Sequence, residues 1–70
     1  MSQKDIYEIL KELGGEASVI EVRKRAKEKY PKRTLHMYVT NRLRKLQKWG
    51  YVNLISPADK VWKIIKDEYP

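Results

Sequence analysis

The chain has 70 residues, 16 Lys or Arg against nine Asp or Glu, a formal net charge of +7 and no cysteine. It is long enough for one small domain, 1–70, and it excludes disulfide frameworks and thiolate metal sites; one histidine, His36, cannot complete a zinc site alone. No apolar run approaches the roughly 18 residues of a membrane span, and no basic start with an apolar middle marks a signal peptide, which predicts a soluble cytoplasmic protein.

Ser2 followed by Asp5 suits a helix cap, and Ile6, Ile9, Leu10 and Leu13 then recur at helical spacing, predicting a first helix over about residues 3–13. Gly14 and Gly15 suit the left-handed backbone that ends a helix, and Glu16 to Ser18 reads as a short extended link. Ser18 and Glu21 form a capping box for a second helix with Val19, Val22, Ala26 and Tyr30 on its apolar face. Pro31 cannot continue that helix, which ends near Lys29. Thr34 is the expected N-cap of a third, longest helix, 34–49, with Leu35, Val39, Leu43 and Leu46 buried and Gly50 closing it. Residues 51–56 and 61–66 are rich in β-formers and flank the turn-like 57–60, which predicts a two-stranded hairpin. A lone hairpin is marginal in water, so its apolar side, Val52, Leu54, Trp62 and Ile64, should pack on helices one and three. Asp67 to Pro70 reads as a frayed tail.

Charge is unevenly spread along these elements. Residues 1–22 carry a net of −3, whereas Arg23 to Lys48 holds eleven Lys or Arg against one acid, Glu28, a net of +10; the remainder balances. Cations without local carboxylates repel one another until an anion relieves them, and phosphate is the expected anion. An acidic membrane fits less well, because these cations lie among core-forming helix patterns and not opposite one wide apolar face. Charged residues at 36%, with two Asn and two Gln, suit a heat-adapted source.

The order helix, helix, short connection, longer basic helix and hairpin resembles a winged helix-turn-helix domain over nearly the whole chain. Its most specific stretch is VTNRLRKLQKWGYV, Val39 to Val52, similar to the end of the recognition helix and start of the wing in small bacterial and archaeal regulators. GGEASVIEVRKRA, Gly14 to Ala26, is similar to the link into the supporting helix. Short stand-alone winged-helix proteins of archaea, their viruses and plasmids are similar in length and lysine content. The resemblance implies a mainly α fold with a small β-hairpin (α+β), helix 34–49 in the major groove of DNA, hairpin 51–66 as the wing, and a nucleoid-associated transcription regulator without cofactors or small-molecule ligands.

Turning Leu35, Val39, Leu43 and Leu46 inward at 100° per residue independently fixes the outward face of helix three as Met37, Asn41, Arg44 and Lys48. Arg pairs bidentately with guanine and Asn with adenine, so Arg44 and Asn41 are the expected base readers, with Thr40 or Met37 on a thymine methyl. Arg23, Lys24, Lys27, Lys32, Arg33, His36, Lys45, Lys48 and Lys60 are the expected backbone contacts. Arg42 lies beside the buried stripe and is expected to pair with Glu8 or Glu12. His36 is expected to be exposed, Trp49, Tyr51 and Trp62 to pack in the core or hairpin, and Tyr7 and Tyr38 to be candidates for a subunit interface. The short turn at Asp59 and Lys60 favours the major groove over minor-groove insertion, and a homodimer stays open. Sequence-specific duplex binding ranks first, a sequence-neutral chromatin or RNA-associated role second and a protein adaptor third. With no Gly-rich phosphate loop, paired carboxylates or activated nucleophile, an enzyme is not expected.

Overall fold

The computed structural model describes residues 2–69, the side chain of Ser2 excepted, so the expected Ser2 cap lies outside the described residues, as does Pro70. Three α-helices and a three-stranded antiparallel sheet follow in the order α1 (Ser2–Glu12), β1 (Glu16–Ser18), α2 (Val19–Lys29), α3 (Val39–Lys48), β2 (Val52–Ser56) and β3 (Val61–Ile64). This is an α+β fold compatible with a winged-helix layout. The periodic apolar residues meet in one core: Ile6, Ile9 and Leu10 of α1, Val22 and Ala26 of α2, and Val39, Leu43 and Leu46 of α3 are buried together with Val52 and Trp62 of the hairpin.

Helix ends are where local chemistry positions the elements. Ser18 accepts a hydrogen bond from the Glu21 amide at 3.2 Å while Glu21 accepts one from the Ser18 amide at 2.9 Å, satisfying two otherwise unpaired donors of α2. α1 and α3 close in the same way as each other. Gly15 N–H reaches the Leu10 carbonyl and Gly14 N–H that of Lys11; Tyr51 N–H reaches Leu46 and Gly50 N–H reaches Gln47. Gly14 and Gly50 have φ of 94° and 84°, a conformation that a side chain would strain, so glycine is required where each helix turns into strand.

The start of the third helix departs from expectation. Thr34 makes no side-chain cap bond; Leu35–Tyr38 forms a 3-10 turn, and regular α3 begins only at Val39. Thr34 has ψ of 13°, not the extended backbone of an N-cap, and its carbonyl accepts from Met37 three residues on, so the tighter turn replaces the cap.

The expected two-stranded ribbon is a three-stranded sheet in the order β1-β3-β2. Ala17 opposes Trp62, which opposes Leu54, placing an apolar row across the sheet toward the helices. The alternate row, Glu16, Lys63 and Asn53, is exposed. A bulge between Leu54 and Ser56 shifts the register next to the 57–60 turn. The strands are also shorter than expected, and Tyr51 belongs to the bend before β2.

The last residues are not a frayed tail. Tyr7 donates from its hydroxyl to the Lys66 carbonyl at 2.5 Å, Lys11 reaches the Asp67 carbonyl at 3.3 Å, and the Tyr69 ring lies 5.3 Å from Tyr7 and 4.9 Å from Tyr51. Burial first, then the Asp67 and Glu68 carboxylates and Tyr51, push the Tyr7 phenol above its ordinary 10.0, so it stays a donor. Tyr7 is thus a core residue and not an interface candidate.

The caps give a paired test. Ser18→Ala should lower unfolding free energy by about 1 kcal/mol, whereas Thr34→Ala should change it by less than about 0.5 kcal/mol, both read by denaturant titration. Equal losses would place a working cap at Thr34.

Candidate nucleic-acid interface

α3 is held by the inward residues Val39, Leu43 and Leu46 against α1, and its opposite face is exposed. Asn41, Arg44 and Lys48 are exposed on it, and Met37, projecting from the preceding 3-10 turn, is 65% exposed. Thr40 is half-buried beside them, and Lys45 is exposed on the far flank. Asn41, Arg44 and Lys48, three and four residues apart, therefore share one exposed face of α3. No acidic residue stands in the first turn of α3 or of the 3-10 segment before it.

Two carboxylates of α1, Glu12 and Asp5, pair with cations of the basic segment that lie outside α3. Glu12 of α1 accepts from Arg25 at 3.2 Å and from Lys29, so one acid is shared by two cations of α2. Asp5 holds Arg33 at 3.2 Å, and the same guanidinium lies over the Tyr30 ring at 4.8 Å. Arg33 is thus engaged by its own chain. Arg23, Lys24, Lys27, Lys32, Arg44, Lys45 and Lys48 make no ion pair among the described residues and are all exposed. Lys60 is exposed at the hairpin turn with φ of 54°, and Asp59 beside it accepts from Ser56 at 3.3 Å.

Three side chains differ from expectation. Arg42 pairs with neither Glu8 nor Glu12: Glu12 is occupied by Arg25 and Lys29, and Arg42 instead lies 5.9 Å from the Tyr38 ring, its buried Nε without a partner among the described residues. His36 is half-buried, not exposed, because the 3-10 turn rotates it inward; its Nδ1 is buried without a partner. Trp49 is 71% exposed, because it caps α3 where the chain reverses, while Leu46 and Tyr51 on either side of the turn take the core positions. Tyr51 and Trp62 are buried as expected.

The sheet adds a residue that periodicity did not single out. Gln47 of α3 donates to the Asn53 Oδ1 of β2 at 3.2 Å, so an exposed amide of the hairpin is tied to the basic helix. Finding Asn53 requires the strand register, since β2 alternation alone places it on the outer face without saying what it meets. Among the described residues no group of three or more His, Asp or Glu could hold a metal ion, and no helix is long and apolar enough to cross a membrane. The chain matches no protein-family model, no curated protein and no solved structure.

The shared carboxylate sets a pH dependence. The hydrogen bond from Lys29 holds the Glu12 carboxyl below its ordinary 4.5, Arg25 adding to the effect and desolvation opposing it; the same bond raises Lys29 above 10.5. A carboxyl depressed on folding stabilises fully above its unfolded value and loses that contribution as pH falls through the folded one; the raised Lys29 loses its share only as pH rises past 10.5. Glu12→Gln should therefore melt below the parent at neutral pH, and the gap should close as pH is lowered from about 5 toward 3. The pair is exposed, so added salt should shrink the difference. Calorimetric melts across that range check it, and a gap that persists in acid would rule out the ion pair as its source.

Proposed function

We propose that this protein is a winged helix-turn-helix regulator that binds double-stranded DNA sequence-specifically, with α3 in the major groove and the β2–β3 hairpin as its wing. The observation that carries this reading is the partition of charge around α3. Asp5 and Glu12 of α1 are engaged by Arg33, Arg25 and Lys29, while Asn41, Arg44 and Lys48 share an exposed face without intramolecular partners among the described residues. Arg44 reads guanine, Asn41 reads adenine, and Met37 or Thr40 meets a thymine methyl. Arg23, Lys24 and Lys27 on α2, Lys32 in the connection, Lys45 and Lys48 on α3, and Lys60 at the hairpin turn meet phosphates and set the register. Arg33, held by Asp5, contributes to phosphate binding only by releasing that carboxylate. His36, half-buried, reaches phosphate only at the edge of the interface. Occupying promoter DNA is the mode of regulation, in a nucleoid setting, without catalysis.

Selection from a randomised duplex pool at about 150 mM salt tests the reading. An enriched motif supports it, and the motif's symmetry reports whether one copy or two bind. Retention without enrichment replaces it with sequence-neutral coating of DNA or structured RNA, and no retention replaces it with a protein adaptor.

On the enriched site, Arg44→Ala should cost about 1–3 kcal/mol and relax preference at one base position. Lys32→Ala should weaken all sequences alike and reduce the salt slope by about one. Binding isotherms at several salt concentrations distinguish them, and exchanged behaviour would move the recognition face off Arg44.

A further inference from the structure

At the C-terminal end of α3 the convex basic surface gives way to an open cleft of about 390 Å³, within the size range of ligand sites. Trp49, Tyr51 and Tyr69 form its aromatic walls with Leu46 beneath, and its charged lining residues are Lys4 and Lys45, with no carboxylate among them. The wall is prearranged: the Tyr51 and Tyr69 rings lie 4.9 Å apart, and Tyr7 packs against both. Trp49 stands 71% exposed at the rim, a large flat apolar surface facing water.

The chemistry of the lining selects its occupant. A purely apolar partner leaves two ammonium groups to be desolvated without compensation. A second copy of a chain with net charge +7 brings like charge toward the same lysines. A planar ring carrying an anionic group satisfies both features, since aromatic side chains stack on any base and lysines meet phosphate. Arg42 and Lys45 precede Trp49 by seven and four residues and so lie on its side of α3. There the Arg42 guanidinium lies 5.9 Å from the Tyr38 ring, itself 44% exposed, so a cation again adjoins an aromatic beyond the cleft.

We propose that this cleft takes an unpaired nucleotide, its base against Trp49 and Tyr69 and its phosphate on Lys4 and Lys45. The protein then engages duplex DNA most tightly where it passes into a single strand. The inference rests on the DNA-binding reading above and adds a second contact that shares only Lys45 with it.

The test compares a labelled blunt duplex, the same duplex with a dT overhang of about ten nucleotides at either end, and the dT strand alone. Fluorescence anisotropy should give roughly tenfold tighter binding to an overhang duplex than to the blunt one. Trp49→Ala and Lys4→Glu, both at exposed positions, should each remove that preference and leave blunt-duplex affinity unchanged. Trp49 emission should also be quenched on binding, with buried Trp62 as internal reference. Equal affinity for blunt and overhang duplexes overturns the cleft assignment and leaves the duplex reading standing. Binding of the single strand through Trp49 with no duplex bound overturns the duplex reading and supports the cleft. Quenching by adenosine monophosphate or benzoate without any overhang preference overturns the nucleic-acid assignment and makes the cleft a site for a free planar anion.

Discussion

Burial of one face of α1 is the contact on which the remaining elements depend. Ile6, Ile9 and Leu10 are fully buried, and α1 packs against α2, α3, β1 and β3. A chain this short buries only about 60% of the surface its unfolded form exposes, and it has no disulfide to add. Truncating one buried Leu or Ile typically costs about 2–5 kcal/mol, which is comparable to the whole stability of a domain of this size at about 0.1 kcal/mol per residue. Because α1 fills the centre, Val39, Leu43 and Leu46 have only one direction in which to bury. The orientation of the α3 outer face is therefore a packing result before it is a functional one.

Much of this architecture was legible in the residues, and the reasons differ by element. Helical periodicity located the inward residues of all three helices, since burial on one stripe imposes that spacing directly. The Ser18 and Glu21 box and the glycines at 14, 15 and 50 marked boundaries because those side chains and that backbone conformation act locally. β1 was visible as an extended link but not as a strand, because three residues carry too little alternation and its pairing depends on β3, more than forty residues away. Thr34 misled, because cap chemistry is shared by helices and tight turns and the 3-10 geometry depends on how Leu35 is drawn into the core. At the site, helical phase alone found Asn41, Arg44 and Lys48. The partner of Arg42, the inward turn of His36, the exposure of Trp49 and the Gln47–Asn53 bond required distances between elements that no local pattern contains.

The ion pairs also divide the protein electrically. Glu12 and Asp5 pair with Arg25, Lys29 and Arg33 on the α1 side of α2 and the connecting turn, while α3 and the outer face of α2 carry cations with no such partner among the described residues. Such a surface is held together against its own repulsion by the apolar core, so an anion that binds the folded state adds stability as well as occupancy. Affinity and fold stability are then coupled through the same charges.

The strand order carries a consequence for how the chain is made. β3, the last strand in sequence, lies at the centre of the sheet and supplies partners to both β1 and β2. During synthesis the segment containing β1 emerges early and has no edge to join until Val61–Ile64 follows. The helices can gather beforehand through local contacts, but the sheet closes as a single late event that sets Trp62 between Ala17 and Leu54. Before that strand joins, the three helices surround a core that lacks Trp62, and the apolar surface left open there is what a chaperone or a protease meets in the partly folded chain.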